Sequence, residues 1–445
     1  MVLAAVLGSG MTLLDGTVVN VALRTIGEDL GASLAQLQWI TNAYLLALSS
    51  FILLGGSLGD RFGRRRIFVI GTVWFALASL LCGVAPTAEV LIAARILQGV
   101  GAALLTPGSL SMIQGAFVRE DRAKAIGAWS GFGSIAAAIG PFLGGFLVEY
   151  ASWRWIFLIN LPLAVVTVVT AQRAVPETRD PDAQRELDLA GALLAALALG
   201  GLTYALIEWG SPIAPWALVV MLVAGIGFVI DERRSEHPMM PLGIFADRNF
   251  SAANAMTLVV YAALGAVLFF LVLQLQTVSG YSALEAGIAT LPITVCVLFL
   301  AAKGGELAAR IGPRIPMAVG PLVMSVGTLL LLRVGPDLNY WTDAFPGLTV
   351  FGLGLALMVA PLTATVLAAA PDEHAGIASG VNNAVARAGS LLAVAALPVV
   401  VGLAGADYAD PAVFDAAYVE ATIICAVLLA LGSAISWVTI RNPGV

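Results

Sequence analysis

The stretch Gly55-Gly-Ser-Leu-Gly-Asp-Arg-Phe-Gly-Arg-Arg-Arg-Ile-Phe-Val-Ile-Gly71 returns without a gap as Gly304-Gly-Glu-Leu-Ala-Ala-Arg-Ile-Gly-Pro-Arg-Ile-Pro-Met-Ala-Val-Gly320. The identical pairs are Gly55/Gly304, Gly56/Gly305, Leu58/Leu307, Arg61/Arg310, Gly63/Gly312, Arg65/Arg314 and Gly71/Gly320, at an offset of 249. A second echo sets Gly99 and Gly101 against Gly352 and Gly354, at an offset of 253. Each copy of the long motif closes one apolar run and opens the next, so it reads as a short polar connection between two helices. The chain is therefore built from two related halves.

What surrounds the repeat places it in a membrane. Of 445 residues, 60% are hydrophobic and 11% charged, with mean hydropathy +0.95; an ordinary soluble domain has roughly 45–50% and about 25%. A helix crossing a bilayer needs about 20 mostly apolar residues, because it must satisfy its own backbone where there is no water. Fourteen such windows lie near 2–23, 37–58, 67–85, 90–115, 125–148, 155–174, 188–207, 215–231, 250–275, 285–306, 315–334, 345–369, 376–402 and 416–438. The expected architecture is all-α and integral to the membrane: a six-helix bundle over 1–174, a linker with two additional spans over 175–249, and a second six-helix bundle over 250–445. Parallel repeats about an axis normal to the membrane are a transporter architecture, with cargo held near the midplane between the halves.

Basic residues set the orientation. If the N-terminus is cytoplasmic, the inward loops and the C-terminus hold Arg61, Arg64, Arg65, Arg66, Arg119, Arg122, Lys124, Arg173, Arg179, Arg185, Arg233, Arg234, Arg248, Lys303, Arg310, Arg314 and Arg441. The outward loops hold only Arg24, Arg154 and Arg333. Both termini are thus expected in the cytoplasm, with the chain in the cell membrane. Asp15 interrupts the first apolar run, which has neither a basic leader nor a small-residue cleavage site, so it reads as a span and not a signal peptide. A helix beginning at residue 1 or 2 is unusual and suggests that a few residues precede it.

Composition also excludes classes. A net charge of −6 and a pI near 5.0 argue against nucleic-acid binding. Two histidines, His237 and His374, and three scattered cysteines, Cys82, Cys296 and Cys425, make no metal site or disulfide framework. No phosphate-binding loop occurs, and an enzyme would need clustered His, Asp or Cys at one membrane face. No cofactor is expected; the partners are a small molecule, protons and lipid, with the chain acting as a monomer.

Four motifs carry a resemblance. Leu14-Asp-Gly-Thr-Val-Val-Asn-Val-Ala-Leu23, the Gly55 to Arg66 loop, Arg95-Ile-Leu-Gln-Gly-Val-Gly101 and Gly140-Pro-Phe-Leu-Gly-Gly145 resemble, in order and over nearly the whole chain, the signature motifs of the major facilitator superfamily. The first and last, with fourteen spans, resemble its drug/proton antiporter branch. The resemblance implies export energised by proton entry and leaves the cargo unnamed. Two departures stand out: Arg24 replaces the proline usual after the first motif, and Ala309 faces Asp60 in the repeat.

The motifs also read as physics. Asp15 is the one carboxylate well inside a span on these boundaries. A charge there costs a few kcal/mol or more, so such a residue faces the bundle interior and is functional by default. Withdrawal from water favours the neutral acid, which makes Asp15 the candidate proton carrier; the alternative is an Asp bonding Thr17, Asn20 or backbone at a kink near Gly16. Arg95 keeps its proton but can change partners and tune a neighbouring acid. The resemblance gives it a coupling role, against an alternative in which it fixes a helix contact through carbonyls. Arg387, after Asn382 and Asn383, is a weaker candidate for the same chemistry, or a residue that snorkels to the inward end.

In the Gly55–Arg66 loop, Gly56, Asp60, Arg61, Gly63, Arg64 and Arg65 read as an inward gate whose charge-assisted contacts hold the halves together and then break. A basic cluster serving topology alone is the plainer reading. Ala136, Gly140 and Gly144 share one helix face beside Pro141 and Gly145, which fits close packing and a bend; the resemblance assigns this motif to sealing one pathway in antiporters. Candidate cargo-lining residues are Asn20, Trp39, Asn42, Tyr44, Gln98, Trp129, Phe132, Asn254, Tyr261, Phe269, Gln274, Asn382 and Asn383, of which fewer than half are expected to touch cargo. Few charges among many apolar walls suit a lipophilic or amphipathic molecule better than a sugar. The functional expectation is proton-coupled efflux of such compounds. The alternatives are a dedicated exporter of one metabolite or lipid, or a membrane enzyme or receptor.

Overall fold

The computed structural model describes residues 1–116, 139–179, 187–235, 238–370, 375–405 and 407–442, and the architecture among them is all-α. In chain order the helices are α1 (Val2–Leu30), α2 (Leu34–Phe62), α3 (Arg64–Gly83), α4 (Ala88–Ala116), α5 (139–150), α6 (Trp155–Ala174), α7 (Leu189–Ile207), α8 (Ala214–Arg234), α9 (Arg248–Thr277), α10 (Ala283–Ile311), α11 (Arg314–Arg333), α12 (Tyr340–Ala368), α13 (Ala375–Val400) and α14 (Pro411–Thr439). Among the described residues 13 helices are long and apolar enough to cross a membrane. The expected fifth span, 125–148, is described only from 139; Trp129, Phe132, Ala136, Arg119, Arg122, Lys124, Arg185, His237 and His374 lie outside the described residues.

Local chemistry sets the helix ends. Gly31 closes α1 in the left-handed conformation at φ 61°, which glycine adopts without steric cost. Ser33 and Gln36 form a reciprocal capping box at the start of α2, as Ser282 and Glu285 do for α10. Asp188 caps α7, its carboxylate accepting from Gly191 N at 2.7 Å, as its position before the apolar run predicts. Among the described residues of the 232–249 connector, Leu242–Ala246 form a 3-10 turn.

Two compact units emerge. The first comprises Met1–Val19, Thr25–Gly140 and Tyr150–Leu242, so the additional pair α7–α8 belongs to it, with α7 lying on α2. The second comprises Asn20–Arg24, Pro141–Glu149 and Gly243–Val445. In the first, α4 packs against α2 and α3; in the second, α12 packs against α10 and α11.

These matching packings are what the repeated glycines provide. A Cβ added at Gly99 would lie 2.5 Å from the Tyr44 carbonyl oxygen, and one at Gly352 would lie 2.7 Å from Ile293 Cα. Tyr44 and Ile293 are equivalent at the 249-residue offset. Likewise a Cβ at Gly101 would meet Phe75 N at 2.7 Å and one at Gly354 would meet Met324 N at 2.6 Å, and Phe75 and Met324 are equivalent too. Gly55 sits on the carbonyl of Ala103 and Gly304 on that of Ala356. Small residues let helix backbones touch, and the sequence repeat is a record of these crossings.

Candidate functional site

Five helices of the first unit converge on Asp15. Its side chain is 0% exposed, as is Gln98, and Arg95 is 1% exposed. Arg95, on α4, donates to Asp15 Oδ2 at 2.5 Å, to Gln98 Oε1 at 2.7 Å and through Nε to the carbonyl of Ile40 on α2 at 3.0 Å. Gln98 Nε2 donates to Asp15 Oδ1 at 2.8 Å and to Ser79 Oγ, on α3, at 2.8 Å. Asn160 of α6 reaches Ser79 Oγ at 3.3 Å, and the Cys82 thiol lies 3.5 Å from Gln98 Oε1. The guanidinium carbon stands 4.3 Å from the Tyr44 ring centroid and 5.7 Å from that of Phe157, where a cation is attracted to the ring face.

This arrangement is a buried ion pair with its hydrogen bonds satisfied. A buried charge is tolerated when it is paired and hydrogen-bonded, and each Asp15 oxygen here has a donor. Protonation removes the negative charge, and with it the Coulombic hold on Arg95. The guanidinium would still have the Ile40 carbonyl, Gln98 Oε1 and the Tyr44 ring, so its charge would not be stranded. Thr17, one of the local partners considered for Asp15, bonds the carbonyls of Leu13 and Leu14 on its own helix. Arg95 does hold a carbonyl, Ile40, in addition to the acid.

The second unit carries apolar residues at the equivalent α12 positions. At the 253-residue offset Arg95 corresponds to Leu348 and Gln98 to Phe351, both 0% exposed. Its polar groups gather elsewhere. Asn382 donates to Asn254 Oδ1 at 3.1 Å and to Thr257 Oγ1 at 2.9 Å. Asn383 is exposed and bonds back to the Ser379 carbonyl. Gln274 donates to Asp415 at 2.5 Å and to the Val334 carbonyl at 3.1 Å.

Asp415 amends the sequence reading. Because Asp410 caps α14 and Pro411 takes its first position, the helix starts five residues before the expected span. Asp415, outside the expected span, therefore lies on a helix long and apolar enough to cross a membrane.

The other candidate cargo residues divide between core and periphery. Trp39 Nε1 bonds Glu208 at 3.3 Å and its ring lies 6.2 Å from Tyr204, so it is engaged with the end of α7. Asn42 is fully buried, and among the described residues neither of its amide atoms has a hydrogen-bond partner. Phe269 packs edge-on against Phe270 in the core, Tyr261 is half-buried, and Asn20 is half-buried within the second unit.

At the repeated loop, Asp60 pairs with Arg64 one turn on at 2.8 Å, and Gly63, at φ 113°, joins α2 to α3. Gly56 lies beside Pro107 of α4, and Arg61 stands over the Phe62 ring at 4.9 Å. The free backbone N–H groups of Arg65 and Arg66 are taken by the Glu177 carboxylate at 3.1 and 3.2 Å, and the Arg65 guanidinium bonds the Val175 carbonyl at 3.0 Å. In the second unit Asn442 plays the part of Glu177, accepting from Arg314 N at 3.2 Å, while the Arg314 guanidinium bonds the Trp437 carbonyl at 2.7 Å. In each half the residue that caps the third helix stands three positions after the last helix ends. Single-sequence reasoning missed these caps because the long loop motif carries no trace of a partner so distant in the chain.

The α5 motif is seen from Gly140 onward. Gly140 abuts the Thr17 side chain. In the second unit a Cβ at Gly145 would lie 2.5 Å from Leu284 Cα, Gly287 sits on the Pro141 carbonyl, and Gly144 is buried. Beside them Gln276 Nε2 bonds the Val21 carbonyl at 2.9 Å, and Val21, Val272 and Ala283 form a small apolar cluster that Val148 covers.

Comparison with known proteins gives one consistent answer. A family model described as Major Facilitator Superfamily matches residues 5–394. The chain is 35% identical over 417 residues to the methylenomycin A resistance protein of Bacillus subtilis strain 168, an alignment covering 91% of this chain and 87% of the relative. It is 34% identical over 403 residues to the tetracenomycin C resistance and export protein of Streptomyces glaucescens, covering 89% of this chain and 74% of the relative. Among solved structures, the inward open conformation of the xylose transporter XylE from E. coli superposes with a TM-score of 0.68 at 15% identity, covering 100% of this chain and 96% of that one. That likeness is one of fold.

Proposed function

This chain belongs to the Major Facilitator Superfamily, and we propose that it is a proton-coupled antiporter that expels small lipophilic or amphipathic compounds by alternating access. The Asp15–Arg95 pair supports this reading above all else. It is a buried carboxylate held by a cation that also ties α4 to the Ile40 carbonyl of α2. A proton arriving from outside would neutralise Asp15 and free α1 from α4, and its release to the cytoplasm would re-form the pair. Conversion between the two states is the step at which cargo changes sides.

The gate role of Asp60, Arg61, Arg64 and Arg65 and the sealing role of Gly140, Pro141, Gly144 and Gly145 belong to the same proposal. The first is supported by the charge-assisted contacts of the loop, the second by the close backbone approach of α5 to α10. Both termini face the cytoplasm in this reading, and the chain works as a monomer. The test is reconstitution into liposomes with an acid lumen, followed by a screen of fluorescent dyes. The proposal predicts saturable dye accumulation beyond that of protein-free liposomes, abolished when the pH gradient is collapsed; accumulation indifferent to the gradient would refute it.

A further inference from the structure

Arg387 is the thirteenth of the 26 residues of α13. At 1.5 Å per residue it lies roughly 18 Å from either end of the helix. That is the middle of a bilayer, too deep for the guanidinium to snorkel to an interface. Neither α13 nor α9, the helix on which it packs, contains an Asp or Glu. Among the described residues Arg387 makes no ion pair and no hydrogen bond, although its side chain is half-buried. Arg95, the other arginine at membrane depth, has an acid, an amide and a carbonyl around it.

The backbone at Arg387 is firmly placed. Two residues on, a Cβ at Gly389 would lie 2.5 Å from the Leu258 carbonyl oxygen of α9, and Ser390 Oγ bonds the Tyr261 carbonyl at 2.9 Å. Asn383, Arg387 and Ser390 follow helical spacing and share one face, on which Asn383 is exposed. A guanidinium left without a counter-ion at this depth costs several kcal/mol, so such residues face a protein interior or a cargo path and pair there. A charge left unmatched among the described residues, on a helix face whose neighbouring Ser390 and Asn383 are already hydrogen-bonded, is what a charged ligand would complete.

We propose that Arg387, with Asn383 one turn before it, is an anion-recognition site, and that the cargo class includes lipophilic compounds bearing a carboxylate or a comparable acidic group. This rests on the export reading above and narrows it. A planar guanidinium offers a carboxylate two parallel donors, Asn383 would add a neutral hydrogen bond, and the surrounding apolar helices would accept the cargo's hydrocarbon.

The test uses the full chain in maltoside detergent and two dyes that share a xanthene ring: fluorescein, a carboxylate, and rhodamine 6G, a cationic ester. Binding is read by fluorescence anisotropy. Arg387→Gln is expected to weaken fluorescein binding about tenfold or more, the scale of a lost charge-assisted contact. Arg387→Lys should restore part of it, and rhodamine 6G binding should not change. The inference is overturned if wild type binds neither fluorescein nor other aryl carboxylates, if Arg387→Gln leaves fluorescein binding unchanged, or if both dyes are weakened alike. Gradient-driven accumulation of rhodamine 6G is measured beside it. Its failure would count against the export reading, whereas the anisotropy result decides the site.

Discussion

Asp15 of α1 and Arg95 of α4 meet at 2.5 Å with neither side chain more than 1% exposed, and Gln98 bonds both partners. A buried pair of this kind adds little net stability, because desolvation offsets attraction, yet removing one partner strands the other at a cost of about 3–5 kcal/mol. Arg95→Gln should therefore destabilise the protein markedly, while the double variant Asp15→Asn/Arg95→Gln should recover much of the loss and remain unable to couple. Thermal unfolding of the purified proteins, set out as a double-mutant cycle, checks this. Additive losses would mean that the two charges do not act on one another.

The repeat supplies an internal control. Gly99→Ala places a methyl group against the Tyr44 carbonyl, one turn from the Ile40 carbonyl that holds Arg95, whereas Gly352→Ala strains a crossing with no charge network. Both should cost about 1–3 kcal/mol by overpacking. Transport normalised to folded protein should fall much further for Gly99→Ala, and equal losses would show that helix packing alone explains the motif.

Glu177 and Asn442 offer a second pair of equivalents. Glu177→Ala frees the N–H groups of Arg65 and Arg66, and Asn442→Ala frees that of Arg314. Loss of a helix cap costs about 1 kcal/mol, and a carboxylate at a helix N-terminus gains from the dipole as well. Melting curves should therefore shift more for Glu177→Ala than for Asn442→Ala, with the difference shrinking as salt rises.

Asp60→Ala removes the anion that holds Arg64 at 2.8 Å while leaving every basic residue that sets topology. Membrane orientation should be unchanged, transport should fall, and cysteines introduced along the inward path should label more readily. Unchanged labelling together with normal transport would reduce the loop to a topological signal.

Much of this was legible in the sequence because membrane physics writes it there. Apolar windows gave the helices that the structure describes, and the glycines repeated in sequence lie at helix crossings that recur at equivalent residues in both units. Asp15, Arg95 and Gln98 stood out as polar residues in apolar runs, and they are brought together. Ser79 and Asn160 were not found, since a serine and an asparagine in apolar helices carry no sign of which neighbour they will meet. Trp39 was read as cargo-lining from its aromatic and polar character alone; its actual partner, Glu208, lies at the end of an additional helix whose packing no local pattern encodes. Asp415 escaped because it sits in the polar first turns of α14, which hydropathy trims away.

The central claim is that Asp15 is the group whose protonation drives the cycle. Asp15→Asn in liposomes should be assayed twice, once for dye accumulation driven by a pH gradient and once for counterflow, in which cargo exchanges for cargo without net proton movement. The account predicts that gradient-driven accumulation falls to the protein-free level while counterflow persists. Accumulation by the variant at the wild-type rate and with the wild-type dependence on the gradient would contradict it.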